Sequence, residues 1–215
     1  MKLGTPTILI NNAGVVNGKP LLSLTAQDLD TNFRVNLLSH FHTIQTFLPG
    51  MLAAENGGTI VTVSSVLAHL GCANLSDYTA AKAGSLTLHA SLSAELVKYP
   101  KIKTLLVAPG QIATSLFEGV QTPNNFLAPV VEPVDVAKEI IAAIDAGASG
   151  ELAMPLYARW IEVLSILPVG LQKALRWASG MDKAMEAFKG AGCASGREFE
   201  VVEGERDSVI SSKHK

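Results

Sequence analysis

Three short runs of β-branched and aliphatic residues, each ended at once by turn-forming residues, set the strongest limit on how this chain folds. Thr7-Ile8-Leu9-Ile10 runs into Asn11-Asn12-Ala13-Gly14, and Thr59-Ile60-Val61-Thr62-Val63 into Ser64-Ser65. Lys103-Thr104-Leu105-Leu106-Val107 is halted by Pro109-Gly110. Their apolar residues fall on consecutive rather than alternate positions. Such strands are buried on both faces, which is the condition of strands inside a parallel sheet.

Parallel neighbours need long crossovers, and the segments between the runs have helical spacing. Thr25-Ala26-Gln27-Asp28 reads as a capping box. It opens a long helix with Leu29, Phe33, Leu37, Phe41, Ile44 and Leu48 as its apolar stripe, closed by Gly57-Gly58. A loop from Val66 to Asp77 leads to a helix from Tyr78 to about Tyr99, stopped by Pro100. Pro133 suits a first helical position, followed by Val136, Ile140, Ile141 and Ile144. Gly150 to Met154 reads as a weaker fourth strand. This alternation predicts an α/β fold: a doubly wound, Rossmann-like parallel sheet covered on both faces.

From Tyr157 to Phe188 the chain carries Trp160, Ile161, Leu164, Leu167, Leu171, Leu175 and Trp177 at helical spacing, interrupted by Pro168 and Gly170. One reading is a helix pair that covers the sheet; the other is a surface that touches lipid or lines a lipophilic pocket. Residues 190–215 are polar and aperiodic and are expected to be a disordered tail. The division is therefore one domain over 1–189, with a helical extension at about 156–189.

With 48% hydrophobic and 17% charged residues the chain reads as globular, and its net charge of −2 gives nucleic acid no electrostatic hold. Cys72 and Cys193 lie far apart without metal-like spacing, so a reducing compartment fits. No apolar run has membrane-span length and the N-terminus lacks a signal-peptide pattern, so a cytosolic chain is expected. His40, His42, His69 and His89 have no metal-like partners and read as surface or satisfied core residues.

The chemistry gathers at the strand ends. Tyr78-x-x-x-Lys82 puts a phenol and an ammonium one helical turn apart, where the cation is expected to lower the phenol's pKa. Alone, that spacing is also met by surface pairs. Ser65, however, ends a strand thirteen residues earlier, and Asn11-Asn12-Ala13-Gly14 and Pro109-Gly110-x-Ile112-x-Thr114 end two more. In open α/β sheets these ends border the ligand crevice. Ser64 faces away from Ser65 by strand alternation.

These motifs, with Asn36 in Arg34-Val35-Asn36, occur in the order and spacing of the short-chain dehydrogenase/reductase family, which the chain resembles over roughly residues 5 to 155. The resemblance implies that Tyr78 is the general acid/base, with Lys82 lowering its pKa and holding the nicotinamide ribose. Ser65 would orient the substrate oxygen and Asn36 would help hold a relay water. Asn11, Ala13 and Gly14 would line the adenosine side of the cofactor, and Pro109, Gly110, Ile112 and Thr114 its nicotinamide end. The cofactor implied is NAD or NADP. The region from Ser115 to Val131 is expected to be a substrate lid or an ordinary surface connection. The helices from Thr25 and Tyr78 either pair in a homodimer or lie buried on the sheet.

Met154-Pro155, the Trp/Leu-rich segment, Asp182-Lys183-Ala184-Met185 and Phe188-Lys189-Gly190 are similar to the membrane-associated subgroup of retinol and 17-beta-hydroxysteroid dehydrogenases, found at the endoplasmic reticulum and lipid droplets. That likeness implies a retinoid, steroid or related lipid as substrate. The family's opening strand, glycine-rich turn and helix do not precede Ile8, and Gly190-Ala191-Gly192-x-x-x-Gly196 is no substitute because it follows no strand. A sheet missing its first strands is expected, with Thr7–Ile10 as an apolar edge. Weak NAD(P) binding and little turnover then follow, and the competing reading is an inactive relative acting by dimerisation or lipid contact.

Overall fold

In the computed structural model, which describes residues 4–117, 129–179 and 188, four strands form one parallel sheet. They are β1 (Ile8–Asn11), β2 (Gly58–Val63), β3 (Ile102–Pro109) and β4 (Gly150–Met154), adjacent in chain order. The β1–β2 crossover holds α1 (Ala26–Phe33), a π turn (Arg34–Leu38) and α2 (Ser39–Ala53); α3 (Ser76–Leu96) joins β2 to β3 and α4 (Pro133–Asp145) precedes β4. The Thr25 hydroxyl accepts from the Asp28 backbone N–H while Asp28 accepts from Thr25, so the capping box forms as expected.

Strand alternation divides the core into two layers. Val61, Val63, Leu105 and Val107 meet Val136 and Ile140 of α4 on one face. Ile60 and Ile102 meet Ile44 and Met51 of α2 and Leu92 and Leu96 of α3 on the other. The sheet is thus covered on both sides, as the consecutive apolar positions require.

β1 departs from that pattern. Its register with β2 puts Ile8 and Ile10 on the α4 face, yet each is 47% exposed. Leu9 packs on the α2–α3 layer, and the buried Asn11 is hydrogen-bonded to Thr43 of α2. Among the described residues β1 is an outer strand and α4 packs over β2 and β3, so one face of β1 stays open. The apolar stripe expected on the first crossover divides: Ile44 and Leu48 pack in the core and Phe33 and Leu37 are half-buried, but Leu29 and Phe41 are exposed, and the buried face of the first half is Asn32, Asn36 and His40, four residues apart.

Close approach of crossover to sheet rests on Gly57 and Gly58. Gly57 has φ +66, and a Cβ there would overlap the Lys101 backbone; one at Gly58 would overlap Met51 and the Thr7 carbonyl. Gly57→Ala should cost on the order of 2–4 kcal/mol, because left-handed strain adds to a clash with rigid backbone. Urea unfolding checks it through a lowered midpoint at unchanged slope.

After β4 come α5 (Ile161–Ile166) and α6 (Val169–Ser179). Ala158 and Ile161 pack on Val66 and Ala153, so the sheet-covering role belongs to the start of this region. Trp160, Ile166, Val169, Leu171, Leu175 and Trp177 are exposed instead. The 190–215 tail, the Asp182–Met185 motif and most of the expected lid lie outside the described residues.

Candidate active site

All four groups of candidate residues meet at the carboxyl edge of the sheet. Ser65 follows β2 in extended backbone (φ −166, ψ 153), and its Oγ accepts from the Leu67 N–H in the tight turn that follows. Tyr78 and Lys82 lie in the first two turns of α3, both only 3% exposed. The Ser65 and Tyr78 side chains are hydrogen-bonded, and the Lys82 ammonium stands 5.8 Å from the Tyr78 ring centroid. Ser64 points the other way, its Oγ donating to the Lys82 carbonyl at 3.0 Å while Ser85 Oγ donates to it. Ser64 therefore fixes α3 on the sheet, and Ser65 is left to face the crevice.

Lys82 Nζ donates to the Val63 carbonyl at 2.8 Å, and burial pulls its pKa down to about 8. The expected lowering of the Tyr78 pKa is not what the structure gives. Burial pushes the phenol up to about 12, with the Ser65 hydrogen bond opposing only part of that shift. The cause is apolar packing: Leu75 and Tyr78 share a cluster with Val16, Leu67, Cys72, Phe117 and Phe188. Phe117 meets the phenol ring edge-on at 5.8 Å and 85°. Desolvation of the phenolate outweighs its neighbouring cation, so this phenol holds its proton.

Asn36 is fully buried in the π turn, a helical irregularity that recurs at functional sites. Its Oδ1 accepts from the Val15 N–H at 3.1 Å, and its Nδ2 donates to the Val15 carbonyl and to Asn32 Oδ1. The side chain thus clamps the loop after β1. Asn36→Leu should lower stability by about 2–4 kcal/mol, since it strands both Val15 backbone groups and Asn32 in the interior. Thermal unfolding by circular dichroism measures the loss.

The remaining candidates fall around this centre. Gly14 lies between Asn36 and Lys82: a Cβ there would come 3.1 Å from Asn36 Oδ1 and 3.9 Å from Lys82 Nζ. Asn11 is buried and its Oδ1 accepts from Thr43 Oγ1, whereas Ala13 is exposed. Pro109 is buried at the end of β3, the Gly110 N–H donates to the Met154 carbonyl, and Ile112 bridges to Val131. Thr114 is exposed, its N–H donating to the Ile112 carbonyl.

Several neighbours had no signal in the sequence. Tyr157 puts its hydroxyl against Gly110, where a Cβ would collide with it. Phe117 and Phe188 close over Tyr78 from distant segments. His40 is buried with neither ring nitrogen partnered, and burial and then Lys82 push its pKa down to about 4. His89 is a satisfied core residue, paired through Nδ1 with Thr62 Oγ1. Among the described residues no group of His, Cys, Asp and Glu has the makings of a metal site.

A family model for short chain dehydrogenase matches residues 1–125. The chain belongs to the short-chain dehydrogenase family. Members of this family are oxidoreductases acting on alcohols and carbonyls with NAD(P). Among relatives of this dehydrogenase-family chain, the short-chain dehydrogenase/reductase family 16C member 6 of Bos taurus is 36% identical over 190 residues, 87% of this chain and 60% of that one. Epidermal retinol dehydrogenase 2 of Mus musculus is 35% identical over 192 residues, 88% and 62% respectively. The chain thus spans about 60% of the length of these relatives. A short chain dehydrogenase from Burkholderia cenocepacia, solved in complex with NADP, superposes with a TM-score of 0.65 at 26% identity, covering 80% of this chain and 70% of that one. No helix among the described residues is long and apolar enough to cross a membrane.

Proposed function

We propose that this chain carries the acid/base centre of an NAD(P)-dependent oxidoreductase that interconverts a hydroxyl and a carbonyl on a lipophilic substrate. The observation that carries the proposal is the Ser65–Tyr78 hydrogen bond with the Lys82 ammonium beside the phenol ring. Ser65 Oγ holds the substrate oxygen, and Tyr78 Oη delivers a proton to it as negative charge develops there. Burial keeps the phenol protonated at neutral pH, so it holds a proton to give. Lys82 stabilises the phenolate left after transfer.

The nicotinamide cofactor, when bound, supplies or accepts the hydride. The residues present fit its nicotinamide-ribose end: Lys82 has N–H donors beyond the one given to Val63, and Gly14 leaves an approach that any Cβ would narrow. Lys82 and Tyr78 would hold that end beside Pro109, Gly110, Ile112 and Thr114, with Asn11, Ala13 and Gly14 toward the adenosine side; Asn36, whose side-chain groups are taken by Val15 and Asn32, would act by clamping the loop next to Gly14. Among the described residues, no strand passes through a glycine-rich turn into a helix N-terminus, the usual pyrophosphate site. A second reading is an inactive relative acting by dimerisation or lipid contact, for which the exposed apolar residues named below are the relevant observation.

A lipophilic substrate is supported by the aromatic residues around Tyr78 and by the retinol dehydrogenase among the relatives. Exposed Leu29, Leu38 and Phe41 are compatible with a homodimer face, and exposed Trp160 and Trp177 with contact to a lipid surface. The test is transfer of deuterium from C4-deuterated NADPH or NADH to an apolar aldehyde, read by mass spectrometry. One deuterium in the alcohol is expected, carried over slowly. An alcohol without label, or no alcohol with either cofactor, leaves the inactive relative as the answer.

A further inference from the structure

Tyr78 has almost no free surface, so a substrate oxygen reaches it only if some neighbour gives way. Leu75 is fixed as the residue just before α3, and Phe117 makes edge-on contact from the segment after β3. Phe188 is placed differently. Its ring packs against the Leu75–Tyr78 cluster and lies on Gly18, a residue with φ +63 whose missing side chain leaves the floor bare. A Cβ at Gly18 would overlap two ring carbons of Phe188. The surface beside the phenol is therefore a slot with the Gly18 backbone on one side and the Leu75–Tyr78 cluster, on which Val16 and Leu67 also pack, on the other, filled by a flat ring half-buried from the C-terminal part of the chain.

We propose that the slot between Gly18 and the Leu75–Tyr78 cluster binds a flat apolar group of the substrate, and that Phe188 is its resident occupant, standing where that group will lie. Calling the ligand a substrate rests on the proposed function; its binding does not. A bare-backbone floor under an aromatic occupant selects planar, unsaturated groups over thick saturated ones, because only a thin group keeps contact with floor and cluster together. The occupant acts as an internal competitor, so the apparent affinity for an external ligand is reduced by the fraction of molecules in which Phe188 is seated.

The experiment measures binding of 2-naphthaldehyde and of cyclohexanecarboxaldehyde without any nicotinamide, so that turnover plays no part. Phe188→Ala is expected to bind the naphthyl compound about tenfold tighter than the parent chain, with little gain for the cyclohexyl compound. A 4-fluorophenylalanine at position 188 in the otherwise unaltered chain should shift its fluorine resonance toward the solvent-exposed value as naphthaldehyde is added. Unchanged or weaker binding by a folded Phe188→Ala variant, an equal gain for both aldehydes, or a fluorine signal that naphthaldehyde does not move overturns the proposal. Should that variant not fold, the fluorine signal alone decides. Tight naphthyl binding without deuterium transfer would remove the oxidoreductase reading and leave the slot; transfer without displacement of Phe188 would do the reverse.

Discussion

Tyr78→Phe is expected to lower turnover in the deuterium-transfer assay by about 10²–10⁴-fold, the usual contribution of a positioned proton donor. The ring keeps its packing with Leu75 and Phe117 and loses only the hydroxyl, whose partner is Ser65. Stability should therefore move by no more than about 1 kcal/mol, the ordinary net value of one hydrogen bond. Ser65→Ala should reduce turnover in the same direction, and the double variant should lose little more than Tyr78→Phe alone, because the two hydroxyls act on one oxygen. Single-turnover measurements with the three variants check this. A Tyr78→Phe chain that keeps most of its rate moves the proton donor elsewhere.

Lys82→Met should separate activity from stability with opposite signs. Turnover is expected to fall by about 10²–10³-fold with the loss of the charge that stabilises the phenolate. Stability at neutral pH should rise. The ammonium has a pKa of about 8 in the folded chain against an ordinary 10.5. Above pH 10.5 neither state is charged and burial costs nothing. As the pH falls from there toward 8, the unfolded chain takes up a proton that the folded chain resists, so stability is lost through that window. At pH 7 the full cost is present, about 3 kcal/mol from the size of the shift. The Val63 carbonyl bond offsets part of that, and a net gain of about 1–2 kcal/mol for Lys82→Met at pH 7 remains. Denaturant unfolding at pH 7 and pH 10.5 should show the gain shrinking at the higher value; a loss at pH 7 contradicts it.

The sequence carried the fold wherever burial on both faces leaves a mark. β2 and β3 lie between two helical layers, so their consecutive apolar residues announced a parallel sheet, and the turn residues at their ends announced its reactive edge. β1 carries the same kind of run and, among the described residues, stands as the expected apolar edge with Ile8 and Ile10 open; the run by itself cannot say whether a covering element lies within reach. The first crossover was legible only in part, for a related reason. Its apolar stripe, Leu29 to Leu48, is conspicuous and its end, Ile44 and Leu48, does pack in the core, but at its start Leu29 is exposed and the buried residues are the polar series Asn32, Asn36 and His40. Hydrophobic period finds a helix; it does not find which side is needed to clamp a loop.

At the site, the order of Ser65, Tyr78 and Lys82 was legible because strand ends and helical turns place them with few alternatives. The protonation state was not. Spacing brings a cation near a phenol, whereas the phenol's pKa depends on Phe117 and Phe188, which arrive from segments 39 and 110 residues further on. The π turn at Asn36 was equally invisible, since one extra residue in a helical turn changes no periodicity that a short window resolves.

The most direct measurement is a carbon-13 NMR titration of the Tyr78 ring Cζ, assigned by its loss in Tyr78→Phe. The Ser65–Tyr78–Lys82 centre described above predicts a phenol that stays protonated well past the ordinary tyrosine value of about 10 and titrates near 12. In Ser65→Ala the titration should move higher still, since the hydrogen bond that favours the phenolate is gone. A phenol that ionises at or below about pH 10, or one indifferent to Ser65, would contradict the account.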